Sequence, residues 1–231
     1  MARAAEASPA ADSRIGLLQL ASPALPIGGY SYSTGLESAI DNGQVHDADS
    51  TFDWIDDVVT LVVGRFDAPL LVAALGACEK GDSERLAELN LAALAARETA
   101  ELRLESEQMG YSLSRWTAEV LGGDEIPLDG ARPIAAAIAW AAAASRLKLS
   151  ARDAVTAFLW SFAENQVMVL IKTIPMGQIQ AQRVLHRLGP RITAVTEAAL
   201  VLRPHQWSSA APGLAIASMT HETQYSRLFR S

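Results

Sequence analysis

Phe52, Ile55, Val59, Val62 and Phe66 recur at intervals of three and four residues, with Asp53, Asp56 and Asp57 on other faces. A helix places such positions on one side, whereas a strand would need alternation of period two. No stretch of the chain shows that alternation, so the spacing commits the fold to packed helices. Asp49 or Ser50 is positioned to cap the start of this first long run. Asp67-Ala68-Pro69 should then break or kink it before Leu70 to Ala77 resumes, because proline lacks the amide and crowds the preceding turn. Gly81 suits a helix C-terminus, and Asp82-Ser83 opens a helix with Leu86, Leu89 and Ala93 along one side. Further helices are expected near Thr99 to Leu121, Pro133 to Leu147, Ser150 to Ile174, Pro175 to Leu188 and Pro190 to Leu202, with prolines in first turns where no amide donor is needed. The breaks at Gly122-Gly123, Gly130 and Gly189-Pro190 are short, and none resembles an interdomain linker. The expectation is an all-α, single-domain bundle of roughly eight to ten helices.

Half of the 231 residues are hydrophobic, enough for a sizeable core without staples. The single cysteine, Cys78, lies on an apolar helical run and reads as a buried, inert thiol; a disulfide framework is excluded. The segment MARAAEASPAADSR has no apolar stretch of the kind a signal peptide needs, so residues 1–13 read as a disordered lead-in, residues 14–231 as the domain, and a cytoplasmic location is expected. Ile134 to Ala144 falls short of the ~20 residues a membrane span takes. The apolar run Val155 to Ile174 is interrupted by Glu164, Asn165 and Lys172, so no membrane helix is expected. A net charge of -7 without a Lys/Arg block argues against a nucleic-acid partner.

Catalytic constellations are lacking. His46, His186, His205 and His221 are scattered without metal-ligand spacing, leaving His221-Glu222 open only as a ligand pair at a subunit interface. Ile27-Gly28-Gly29-Tyr30 is glycine-rich but has no lysine to meet a phosphate, and Ser31 and Ser33 lack a nucleophile-elbow context. Acidic pairs such as Asp56-Asp57 and Asp124-Glu125 read as solvated faces. No catalytic, cofactor-binding or metal-ligating residue is assigned. Composition and spacing point to a helical binding protein.

Two segments stand out for recognition. SPALPIGGYSYSTGLE, Ser22 to Glu37, places two prolines, three glycines and two tyrosines in sixteen residues. Pro23 and Pro26 stiffen it, Gly28 and Gly29 permit unusual backbone angles, and Tyr30 and Tyr32 offer flat surfaces with hydroxyl handles. The competing reading is a loop packed over the core, with Glu37 capping or pairing locally. HETQYSRLFRS, at the end of the sequence, sets Tyr225, Leu228 and Phe229 beside Arg227 and Arg230, a mixture enriched in binding hot spots. Its competing reading is a terminal strap docked on the core. Arg103 and Glu107 are spaced as an exposed i, i+4 pair, and Pro175 and Gly177 mark a helix break beside Met176, which reads as core.

LLQLASPALPIGGYSYSTGLESAI closely resembles the N-terminal signature of UreF-type urease accessory proteins. GRFDAPLL, ELRLESEQMGYSLSR, IKTIPMGQIQAQRVL and IASMTHETQYSRLFRS resemble successive segments of that family in the same order, so the likeness runs from about Leu17 to Ser231. Ala215 stands where an aspartate is expected, and Lys172 where an arginine is common. The resemblance implies an all-α, usually dimeric protein that bridges a UreD/UreH-type scaffold and the GTPase UreG in delivering nickel to apo-urease, without a catalytic site of its own. A family-level alternative is a GTPase activator supplying an arginine in trans. On these grounds the candidate partner-binding residues are Pro26, Gly28, Gly29, Tyr30, Ser31, Tyr32, Gly35, Glu37, Arg103, Gln108, Gly177 and Gln178, together with His221, Glu222, Tyr225, Arg227, Leu228 and Phe229 in a tail of about residues 205–231.

Overall fold

A computed structural model describes residues 9–122, 126, 128 and 133–231. The helices are α1 (Pro9–Leu20), α2 (Leu36–Asp41), α3 (Ala48–Val58), α4 (Ala68–Lys80), α5 (Ser83–Ala95), α6 (Ala100–Leu121), α7 (Ala136–Arg146), α8 (Ala151–Thr173), α9 (Gln178–Val201) and α10 (Pro212–Glu222). With α3 and α4 joined, these make nine helices and no strand among the described residues, so the fold is all-α. Residues 1–8, Gly123, Gly130 and the pair Asp124-Glu125 lie outside the description, while the stretch expected as lead-in is helical from Pro9.

Several expected boundaries move, each for a local reason. Asp47, not Asp49 or Ser50, caps α3: its carboxylate accepts from the Ser50 amide at 2.9 Å, and the Ser50 hydroxyl meets the Asp47 amide at 3.1 Å. Pro69 does not interrupt the helix. Residues Val59–Asp67 widen into a π-helix joining α3 to α4 in one rod, and the Arg65 carbonyl, four residues before the amide-less proline, accepts from Ser208 N at 3.2 Å. Pro133 is not a first-turn residue, because the Asn90 side chain takes the Pro133 carbonyl (2.9 Å) and the Ala135 amide (2.8 Å) and holds the link extended until Ala136. Pro175 likewise lies in an extended link ahead of α9. Pro190 is inside α9 and starts no new helix. It sits on the exposed side, so the His186 carbonyl that loses its partner faces solvent.

The alanine-rich α7 is the centre: Ala137 to Ala144 are all buried between α6 and α4, with α5 and α8 alongside. Alanine permits close approach, and the closest is at Gly110 of α6, where an added Cβ would stand 2.0 Å from the Ile134 carbonyl oxygen. α8 packs against α9, and α9 against α3 and the π-segment. The rod Ala48–Lys80 and α8 are long and apolar enough to cross a membrane, yet 67% and 50% of their most apolar windows are buried inside the bundle. Burial pushes the Cys78 thiol up to about 11, which keeps it protonated and unreactive.

Candidate functional site

The two segments singled out for recognition meet each other. After α1, the loop closes with a 3-10 turn at Gly29–Ser31, entered through Gly28 at φ 75, a left-handed angle that favours glycine. The chain then passes Tyr32 and Thr34, enters α2 through Gly35 at φ 78, and buries every residue from Tyr32 to Ala39. A close Cβ contact to Leu214 at 3.3 Å would add to the strain of replacing Gly35. The segment after α10 returns across this loop. Arg230 N donates to Ser31 O at 2.8 Å and Ser33 N to Ser231 O at 2.9 Å, and the Ser33 hydroxyl also meets the Ser231 carbonyl.

Glu37 is the centre of the latch. Its side chain is buried, with Oε1 accepting from the Leu228 amide at 2.7 Å and Oε2 from the Phe229 amide at 3.0 Å. His221, wholly buried, stands between two carboxylates: Nε2 is 3.1 Å from Glu37 Oε2 and Nδ1 is 2.7 Å from Glu101 Oε2. Glu101 also accepts from Arg227 Nη1 at 2.7 Å. One turn along α6, Glu105 accepts from the Thr34 hydroxyl at 3.0 Å and the Ser231 hydroxyl at 2.7 Å. Burial raises its carboxyl above the ordinary range, against the lowering effect of those hydroxyls and of Arg97. Glu222 closes the arrangement by accepting from the Ala100 amide at 3.1 Å, an acidic side chain on an unsatisfied donor at the start of α6.

These contacts decide between the readings left open by sequence. Glu37 does not cap or pair locally; it holds the strap across 191 residues of sequence. His221 is not available as a ligand at a subunit interface, since both ring nitrogens are engaged inside the fold. Phe229 is buried under Lys172, whose ammonium lies 5.3 Å from the ring centroid. Tyr32 is buried and its hydroxyl donates to Gln108, which also accepts from Arg230 Nη1 at 3.3 Å. Tyr30 is half-buried; desolvation, then the nearby Glu164, raises its phenol. Pro26 and Gly28 are exposed, Ser31 and Gly29 half-buried. Arg103 pairs with Glu107 at 2.8 Å on the exposed face, as its spacing implies. Gly177 and Gln178 begin α9 and share no hydrogen bond with this cluster, while Met176 is core. Tyr225 is fully exposed and Leu228 70% exposed, so the strap turns Phe229 and its hydrogen-bonded backbone inward and these two apolar side chains outward. Met219 and Ile216 of α10 and Leu104 and Tyr111 of α6 are exposed as well.

Sequence reasoning missed Glu101, Glu105, Thr34 and Ser33. Glu101 and Glu105 are i, i+4 on α6, a spacing that was visible, but like charges one turn apart read as a solvated face until a strap is laid over them. The carboxylates here are taken by internal donors, and no group of three His, Cys, Asp or Glu among the described residues could hold a metal ion. Beneath the loop lies a cavity of about 130 Å³ lined by Leu25, Tyr30, Met109, Trp140 and Phe162. What the site offers is a rigid, carboxylate-anchored strap with a displayed outer face.

Comparison with known proteins supplies the family. The UreF family model matches residues 45–189. A urease accessory protein UreF from Ectopseudomonas mendocina is 50% identical over 222 residues, covering 93% of this chain and 97% of the relative. Counterparts from Azoarcus sp. (48% over 222 residues; 94% and 95%) and Dechloromonas aromatica (42% over 219 residues; 93% and 96%) align as fully. Both the loop and the whole strap lie outside the matched core of the family model, yet the relatives span nearly the whole chain, and on that match the chain belongs to the UreF family of urease accessory proteins.

Proposed function

We propose that this protein serves urease maturation as a non-catalytic, self-associating assembly factor that bridges a UreD/UreH-type scaffold and the GTPase UreG in the cytoplasm while nickel is delivered to apo-urease. The names of the relatives support the accessory role, and the observation that carries the binding mode is the two-sided strap. Glu37, His221, Glu101 and Phe229 fix its inner side, and Tyr225 and Leu228 are presented to solvent with Arg227 beside them. Because the Leu228 and Phe229 amides are already fixed on Glu37, the backbone that carries these anchors has little freedom left to lose when a partner covers it. The strap is assigned to the scaffold.

The test is size-exclusion chromatography with light scattering. The chain alone should run at twice its 24.6 kDa mass, and adding scaffold and GTPase should give one discrete mixed complex. Replacing Tyr225 and Leu228 with alanine should cost about 2 kcal/mol of scaffold affinity each without moving the melting temperature. Unchanged scaffold binding would refute the strap assignment. Single-turnover GTP hydrolysis should change by less than about tenfold on adding this protein, against the ~10³ to 10⁵ an arginine finger supplies.

A further inference from the structure

A bridging protein needs a second surface, and the strap, resting on α2 and α6, supplies only one. A groove of about 510 Å³ opens elsewhere, between the π-segment and the second half of α9, lined by Gly64, Arg65, Arg191, Val201, Leu202 and Gln206. Resting on the bridging reading above, we infer that this groove is a second docking surface, taking an acidic segment with an aliphatic anchor from the GTPase, the partner the strap does not hold.

Its charge argues for that occupant. The Arg191 guanidinium is already engaged, with Nε donating to Asp56 at 2.8 Å, whereas exposed Arg65 has no ion-pair partner among the described residues. One uncompensated guanidinium is therefore set beside an apolar wall in a chain whose net charge is -7. Guanidinium forks match carboxylates, and Val201, 76% exposed, gives an aliphatic side chain a place to pack.

The groove is also held in shape before anything binds. The π-segment is packed closely on α9: an added Cβ at Gly64 would be 2.2 Å from Val195 Cγ1. The Ser208 amide fastens the Arg65 carbonyl, and Trp207 packs edge-on against Phe66 with centroids 6.3 Å apart. Nine residues of π-helix are uncommon, and such turns concentrate at functional positions. Here the wide turn serves both to pass Pro69 and to carry Arg65 at the groove.

The test is Arg65→Glu in the full chain, with affinities for scaffold and GTPase measured at low and high salt beside Leu228→Ala. Melting temperature and helical content should stay unchanged, since Arg65 is exposed. Arg65→Glu should weaken binding of the GTPase by about tenfold or more and reduce the salt dependence of that affinity, while Leu228→Ala weakens binding of the scaffold. The inference is overturned if Arg65→Glu leaves both affinities and their salt dependence intact, weakens the same partner as Leu228→Ala, or splits the homodimer instead. A loss confined to Arg65→Glu, with Leu228→Ala silent, would uphold the groove and remove the strap from the bridging reading. Unmodified protein that forms no mixed complex would overturn both.

Discussion

The two halves of α6 obey different rules. Its second half, from about Gly110 onward, runs beside α7, and Gly110 itself meets the Ile134–Ala135 backbone just ahead of α7, with no space for a methyl group. Its first half presents Glu101 and Glu105 to the strap, where the contacts are ion pairs and hydrogen bonds reaching across 120 residues and more. The first region should tolerate changes of charge nearby and resist changes of size. The second should do the reverse. Packing loses energy through displaced atoms, whereas a buried polar latch loses it through donors and acceptors left without partners.

Gly110→Ala tests the size-limited half and should have the largest effect. The added carbon meets a carbonyl that cannot swing aside as a side chain would, so a loss of about 3 kcal/mol in denaturant unfolding is expected. A change within about 0.5 kcal/mol, the range of an ordinary surface substitution, would break the distinction.

Next comes Glu37→Ala in the charge-limited half. It orphans the Leu228 and Phe229 amides and one face of His221. Hydrogen bonds to charged groups are worth roughly 1.5–3 kcal/mol, but the strap can lift away and rehydrate, so the net cost should be about 2 kcal/mol. Helical content should persist while trypsin cleavage at Arg227 accelerates. A strap that stays protected would show that Phe229 and Lys172 hold it without the latch.

The smallest effect sharpens the comparison by pH. Burial first, with the hydroxyls of Ser231 and Thr34 acting in opposition, leaves the Glu105 carboxyl above its ordinary 4.5. A carboxyl raised in this way binds its proton more tightly in the folded state. The stability it contributes is complete below 4.5 and is lost as pH rises through the raised value. Glu105→Gln, which keeps an acceptor without the charge, should therefore flatten the decline in melting temperature between acidic and neutral pH. Parallel wild-type and variant profiles would mean that Glu105 is not strained by its surroundings.

Much of the fold was legible because helix-forming information is local. The three-and-four spacing of Phe52, Ile55, Val59 and Val62, the stop at Gly81 and the start at Asp82 all act within a turn or two, and all appear where expected. The resemblance carried by five short segments placed the chain in its family, which the relatives bear out. Tertiary structure decided what proline and charge would do. Pro69 and Pro190 read as breaks, but a missing amide is harmless where Ser208 replaces the donor or where the orphaned carbonyl faces solvent. Glu37 and His221 read as local or interfacial groups and Glu101 was not singled out, because no sequence spacing reveals that residues so far apart will be brought against one another. Local periodicity selects helices; only the folded chain brings a buried carboxylate to the donors that make its burial affordable.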